Sequence, residues 1–307
     1  MRDVIVIGAS AAGVSAAIYL ARRKADFLIL GSDFGGEVAV SGEIQNYPGI
    51  PNTNGIELTD KFREHLKFYD IKPEVDVTVK KVEKKNNFFE VIAVKDDKQT
   101  VWQSRAVIIA TGSKPRQLNV PGEKEFRGKG VSYCTVCDGP LFKDKVVATI
   151  GGGNSANESG IMMSSIAKKV YVITKNEAMK GDQTLIDKLK SLNNVEIITL
   201  GQTKEIFGDA SGFVKGLRYL DKNNQLKTLE VKGIFIHIGM IPNSQIIDGV
   251  NKNQFGEIIV DKNCRTSAEG IFAAGDVTDT PYKQIAIAVG QGVCAALSAI
   301  DYLNKFH

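Results

Sequence analysis

The chain predicts an α/β protein of two parallel-sheet domains, the second inserted into the first. Three observations carry this. A short apolar run, Val4-Ile5-Val6-Ile7, feeds directly into the glycine-rich turn Gly8-Ala9-Ser10-Ala11-Ala12-Gly13. The pattern returns at residues 146–150, followed by Gly151-Gly152-Gly153-Asn154-Ser155-Ala156. The stretch beyond residue 241 is too short to fold alone, so it must complete an earlier domain.

The elements follow in order. Residues 14–21 continue the first turn with helical spacing and small side chains, and Phe27-Leu28-Ile29-Leu30 reads as a second buried strand. That makes a βαβ unit with its glycines at the strand-to-helix turn, a Rossmann-like arrangement. The second copy runs through a helix to about residue 166 and a strand at 170–173, starting a new domain. Residues 107–112 form a buried strand ending in a tight turn, and Lys114-Pro115-Arg116 is a crossing. A matching strand and turn at 234–239 precedes Pro242. Gly270-Ile271-Phe272-Ala273-Ala274-Gly275-Asp276 and a long C-terminal helix then complete the first domain. The expected boundaries are 1–113 with 242–307 for a discontinuous domain, and 114–241 for the insertion. Two adjacent linkers permit one domain to rotate on the other.

Bulk properties narrow the function. At 307 residues, 43% hydrophobic and 24% charged, the chain has an ordinary globular composition. A net charge of +4 gives no case for nucleic acid. The densest basic run, Lys80-Lys81 with Lys84-Lys85, reads as a solvated turn or strand edge. The opening Met1-Arg2-Asp3 leaves no room for a signal peptide, and no apolar run reaches about 18 residues, so neither export nor a membrane span is expected. A cytoplasmic location follows, where a close cysteine pair is catalytic or metal-binding rather than structural.

Cys134-Thr135-Val136-Cys137-Asp138 is that pair. Two thiols at this spacing close a small disulfide ring or supply half a zinc site. A structural zinc needs about four ligands. His65, His237 and His307 are unpaired, and Cys264 and Cys294 lie thirty residues apart, so no metal is expected. Cys294 reads as a buried apolar filler. Asp138 suits a proton shuttle if its surroundings raise its pKa, or else an N-cap. Asp276 after its buried strand binds sugar hydroxyls, caps the next segment, or does both. The glycine turns bring backbone N–H groups and a helix N-terminus to a pyrophosphate. Ser10 departs from the first fingerprint, and its side chain narrows the approach.

Tyr133-Cys134-Thr135-Val136-Cys137-Asp138-Gly139, followed at once by a nucleotide fingerprint, resembles the low-molecular-weight thioredoxin reductases and the flavoprotein core of alkyl hydroperoxide reductase. Gly35-Gly36-Glu37, Asn46-Tyr47-Pro48-Gly49, Ala110-Thr111-Gly112-Ser113 and Lys283-Gln284-Ile285-Ala286 carry the likeness along the whole chain. Cys137-Asp138-Gly139-Pro140-Leu141-Phe142-Lys143 and Met179-Lys180-Gly181-Asp182-Gln183 lean towards the peroxide-reductase branch.

The resemblance implies two FAD/NAD(P)-binding domains, with FAD in the interrupted one and NADPH or NADH in the insertion. Gly8, Ser10, Ala11, Gly13, Gly35, Gly36, Glu37, Asn46, Ala110, Thr111 and Gly112 would line the FAD, with Gly275, Asp276, Lys283, Gln284 and Ile285 closing over it. Gly151, Gly153, Asn154, Ser155, Ala156, Thr174, Lys175 and Gly239 would hold the nicotinamide coenzyme. Cys137 would face the flavin, Cys134 would attack the partner's disulfide, and Asp138 would move the proton. The partner would be a thioredoxin, a glutaredoxin-like protein or another small disulfide protein, and homodimers are the family habit. Glu37 replaces the family's usual glutamine. Thr174 stands where an NADH site wants an acid, with only Lys175 beside it, so the choice of coenzyme stays open. Alternatives are a flavin NAD(P)H oxidase, a ferredoxin-dependent reductase and a non-enzymic redox sensor.

Overall fold

The structure, a computed structural model, describes residues 1–41 and 43–306. The chain divides into two compact units: Met1–Ser41, Gln45–Lys114 and the described residues from Ile241 onward in one, and Pro115–Met240 with a short segment ending at Ile44 in the other. The crossing segments Ser113–Pro115 and Met240–Pro242 pair as a two-stranded ribbon.

In the first unit, strand Arg2–Ile7 is buried from Val4 onward. It pairs in parallel with Phe27–Leu30 on one side and the end of Lys98–Ile109 on the other, with Ile7 facing Leu30 and Ile109. A continuous apolar run suits a strand covered on both faces. Helix α1 (Ala11–Arg22) connects the first two strands, followed by the one-turn helix α2 (Gly36–Ala39) and by α3 (Gly55–Phe68). The Asn54 side chain caps α3 by accepting the Glu57 N–H at 3.0 Å.

Lys98–Ile109 changes partners along its length. Lys98 to Ser104 pair antiparallel with Phe89–Lys95, and Val107 to Ile109 pair in parallel with Ile271–Ala273. Asp96 and Asp97 make the hairpin, both at positive φ (49° and 58°), as a tight two-residue turn requires. Thr78–Lys84 closes that edge of the sheet. The lysine run falls there, with Lys81 and Lys85 on Glu83 at 2.7 and 2.8 Å. Charged side chains on an edge strand block further pairing.

The second unit holds a five-stranded parallel sheet in the order Val195–Ile198, Lys169–Ile173, Val146–Ile150, Gly233–Ile236, Val131–Ser132. Helices α4 (Thr135–Asp138), α5 (Asn154–Ser164) and α6 (Gln183–Lys190) complete it, with an antiparallel meander over Gln202–Gly208, Val214–Leu220 and Leu226–Glu230. Alternation divides its core. Val147, Val170, Val172 and Phe235 pack with Met163 of α5 and Leu189 of α6. Ala148, Ile150, Ile234 and Ile236 pack with Ile206 and Leu217 of the meander. The strand and turn expected over 234–239 are a strand ending at Ile236 and a turn beyond it. The His237 N–H still donates to Ile150 O at 2.7 Å, but Gly239 turns the chain at φ 109°.

The last helix of the first unit, α7 (Ile285–Leu303), is long and apolar enough by composition to cross a bilayer. Gln291 and Asp301 interrupt its apolar residues, so the expectation drawn from run length stands, and the helix packs on α1. A β-carbon on Gly292 would lie 2.1 Å from Ala12 O, and the Ser15 hydroxyl donates to Val289 O at 2.9 Å. Cys294 differs from expectation. It is half-exposed on α7, and Cys264 is the buried thiol, pushed up to about 12 by burial.

Candidate functional site

In the first unit, the first glycine turn is shaped by backbone approach. Gly8 has φ 118°, and a β-carbon on it would lie 2.1 Å from Ala110 O, while one on Gly13 would lie 1.8 Å from Gly8 O. Only glycine fits such contacts. Ser10 is extended at the N-cap of α1 but makes no cap bond. Its hydroxyl instead donates to Gly35 O at 2.5 Å, and Gly35 N–H donates to Ala9 O at 2.9 Å. The departure from glycine therefore ties two expected loops together. Ala11 begins α1, and Gly36 follows Gly35 with a β-carbon position 3.4 Å from Ser10 Cβ.

The other expected residues lie on further segments of the same unit. Gly275 lies against α1, its β-carbon position 3.1 Å from Ala12 Cβ. Asn46 Nδ2 donates to Gln284 Oε1 at 3.2 Å, and Gln284 is the N-cap of α7, which begins at Ile285. Thr111 and Asn243 exchange two bonds: Thr111 Oγ1 donates to Asn243 O at 2.8 Å, and Asn243 Nδ2 donates to Thr111 O at 2.9 Å. Asn243 N–H also donates to Gly112 O at 3.0 Å. Sequence reasoning missed Asn243, whose partner lies 132 positions away.

Asp276 makes no hydrogen bond to another described residue, so the N-cap alternative is not realised. Burial pushes its carboxyl above the ordinary value, Lys283 pulls it down, and the Glu37 carboxylate pushes it up again. Glu37 is exposed on the first turn of α2. The Lys283 ammonium is committed to Glu257 at 2.9 Å and Thr278 O at 2.6 Å. Glycines without room for a β-carbon, a half-buried carboxyl with no hydrogen bond to another described residue and the start of a long helix suit a dinucleotide.

The second fingerprint repeats the geometry. Gly151 has φ 149°, and its β-carbon would lie 2.1 Å from His237 O. Gly153 precedes α5 with open space where its side chain would be, and Ala156 is buried behind it. Asn154 Oδ1 accepts the Asp182 N–H at 2.8 Å, and Lys180 N–H donates to Gly152 O at 2.6 Å. The segment around Gly181 thus folds over the turn, and Ser155 remains exposed. Thr174 is only 2% exposed, with its hydroxyl accepting from Asn176 N–H and Nδ2 at 3.2 and 3.1 Å. Lys175 and Gly239 are exposed.

Cys134 and Cys137 form a disulfide with Cα atoms 5.3 Å apart. Cys134 is the N-cap of α4, and its Sγ accepts the Cys137 N–H at 3.2 Å. Ser132 Oγ accepts the Cys134 N–H at 3.0 Å, which fixes the entry to the turn. Asp138 is half-buried, and burial pushes its carboxyl above the usual range against a smaller opposing pull from Ser132. It makes no side-chain cap bond for the 3-10 turn that follows. Before the pair, Tyr133 Oη donates to the buried Glu123 carboxylate at 2.8 Å. That carboxylate also accepts Leu118 and Asn119 N–H groups at 2.8 and 2.7 Å.

The family model for pyridine nucleotide-disulphide oxidoreductases matches residues 2–292. Over 305 residues the chain is 43% identical to an alkyl hydroperoxide reductase component of Escherichia coli K12, covering 99% of this chain and 58% of that protein. It is 44% identical over 305 residues to a Bacillus subtilis protein named NADH dehydrogenase, covering 99% and 59%. The chain therefore spans less than three fifths of these relatives. The crystal structure of thioredoxin reductase from Streptococcus pyogenes MGAS5005 superposes with a TM-score of 0.92 at 34% identity, covering 100% of this chain and 99% of that one. The chain belongs to the pyridine nucleotide-disulphide oxidoreductase family, whose members use FAD and NAD(P)H, and it has the thioredoxin reductase fold.

Proposed function

We propose that this chain passes electrons from NAD(P)H through FAD to the Cys134–Cys137 disulfide and on to a small disulfide protein: a thioredoxin, a glutaredoxin-like protein or a peroxiredoxin-reducing module. The observation that carries the reading is a closed Cys134–Cys137 pair whose own backbone N–H is aimed at Cys134 Sγ, in a unit that also holds an intact nucleotide fingerprint.

The first unit would hold FAD, with Gly8, Gly13 and Gly36 giving the phosphates close backbone approach and Asp276 taking sugar hydroxyls. The turn at Gly151 and Gly153 with the start of α5 would hold the coenzyme pyrophosphate. Asn176 and Lys175 are better exposed than Thr174 to meet its ribose. When bound, FAD supplies the two-electron chemistry that links nicotinamide to disulfide.

The protein's own groups account for the remaining steps. Opening the disulfide takes up two electrons and leaves charge on sulfur, which the Cys137 N–H stabilises at Cys134 Sγ. Asp138, with its raised pKa, holds a proton beside the pair and returns it. The Cys134 thiolate attacks the partner's disulfide. Cys137 then attacks the mixed disulfide, so the pair recloses and the partner leaves as a dithiol.

Cys134→Ser and Cys137→Ser test this directly. With NAD(P)H and an oxidised thioredoxin, both variants are expected to lose turnover while the flavin still bleaches. Full turnover in Cys134→Ser would overturn the reading.

A further inference from the structure

The turn between the cysteines is tied down by a chain of polar groups that the steps above do not use. Thr135, the first residue of α4, is 4% exposed. Its Oγ1 lies 2.7 Å from Ser159 Oγ on α5 and 2.7 Å from His237 Nε2. Ser159 Oγ lies 3.0 Å from Thr149 Oγ1, whose residue is fully buried in the strand Val146–Ile150. All four side chains belong to the second unit.

Counting protons gives the chain a direction. Three hydroxyls have three protons to place along three contacts. If Thr149 donates to Ser159, Ser159 to Thr135 and Thr135 to Nε2, every proton has an acceptor. Any other order strands a buried hydroxyl proton among the described residues, which costs free energy. Nε2 must then carry its lone pair, so His237 is neutral with its proton on Nδ1. Burial independently pulls the His237 pKa down to about 4.

His237 also abuts the fingerprint, because its carbonyl lies where a Gly151 β-carbon would be. The corresponding residue of the first unit is Ala110, whose carbonyl meets Gly8 at the same 2.1 Å. A methyl group accepts no hydrogen bond. The imidazole is thus an addition found in the unit that carries the cysteines.

We propose that His237 is a positioning residue for the redox pair: as a neutral acceptor at Nε2 it ends the Thr149–Ser159–Thr135 chain and holds the turn at the spacing where the disulfide closes. The inference rests on Cys134–Cys137 being the working redox pair. Loosening Thr135 lets the sulfurs drift apart in the dithiol, which lowers their effective concentration for each other and favours the reduced form.

The test is equilibration of the full chain in oxidised and reduced dithiothreitol, with thiols at Cys134 and Cys137 counted by alkylation and mass. In this exchange dithiothreitol supplies both electrons and both protons. His237→Leu is expected to open at about fivefold lower reduced-to-oxidised ratio, the equivalent of one neutral hydrogen bond. Thr135→Val is expected to match it, and the double variant to add nothing. His237→Gln, whose Oε1 still accepts, is expected to stay within about twofold of the parent. It also serves where the leucine variant fails to fold. A parental midpoint in His237→Leu, additivity in the double variant, or a Gln variant shifted as far as Leu overturns the inference. A parent pair that never opens would overturn the dithiol reading itself.

Discussion

Ser10 donates its hydroxyl proton to the carbonyl of Gly35 across 25 positions of sequence, at 2.5 Å. The bond joins the first fingerprint turn to the Gly35-Gly36 turn. Ser10→Ala is expected to cost about 1 kcal/mol of stability. Flavin should also dissociate several-fold more readily, as measured by reconstituting the apoprotein. Ser10→Gly, which restores the family's small residue but not the bond, should lose stability in the same way. Unchanged melting in both variants would mean that the bond is idle.

Gly151 and Gly153 separate two roles that glycine plays in one turn. Alanine at 151 meets His237 O at 2.1 Å and needs φ 149°, so Gly151→Ala should destabilise the unit by about 3 kcal/mol or more. Alanine at 153 meets nothing within 4 Å. Gly153→Ala should therefore melt within about 0.5 kcal/mol of the parent yet weaken NAD(P)H binding at least about tenfold, because the methyl projects where a pyrophosphate approaches. Paired melting curves and coenzyme titrations check both. Equal effects at the two positions would contradict the account.

Asp138 sets stability against the proton-transfer role proposed for it. Burial raises its pKa, so the folded state holds the proton more tightly than the unfolded chain does. That contribution to stability is present below the unfolded value, near 3.8, and is lost as pH rises through the folded one. Asp138→Asn removes the buried charge, so at pH 7 the variant should be at least as stable as the parent, and the advantage should vanish in acid. Disulfide turnover should meanwhile fall by about 10²-fold, since no carboxyl moves the proton. A variant less stable than the parent at pH 7 would show that the carboxylate is held by a favourable contact.

Much of this is legible in the sequence. Val4-Ile5-Val6-Ile7 and the glycines at 8 and 13, like their repeat at 146–153, carry local signals that need no tertiary context. The spacing of Cys134 and Cys137 names a ring closure or half a metal site, and the structure closes the ring. Partners set by the fold leave no such trace. Thr111 meets Asn243 across 132 positions, and Thr135 meets His237 across 102. The sequence points to Thr174 as a ribose ligand, but only the fold turns its hydroxyl to Asn176 beneath Gly152. The hairpin at Asp96-Asp97 was a missed local signal, since two turn-forming residues there separate the alternating strand Phe89–Lys95 from Lys98–Ile109.

A single electron path, from NAD(P)H through FAD, is proposed to end at Cys134–Cys137. Its most direct test is anaerobic titration of the purified protein with NADH and, separately, NADPH, following flavin bleaching and trapping thiols at the end point. At least one coenzyme is expected to bleach the flavin, and Cys134 and Cys137 are expected to become alkylatable together. Flavin reduced by dithionite but by neither coenzyme, or bleached flavin beside an intact disulfide, would contradict it.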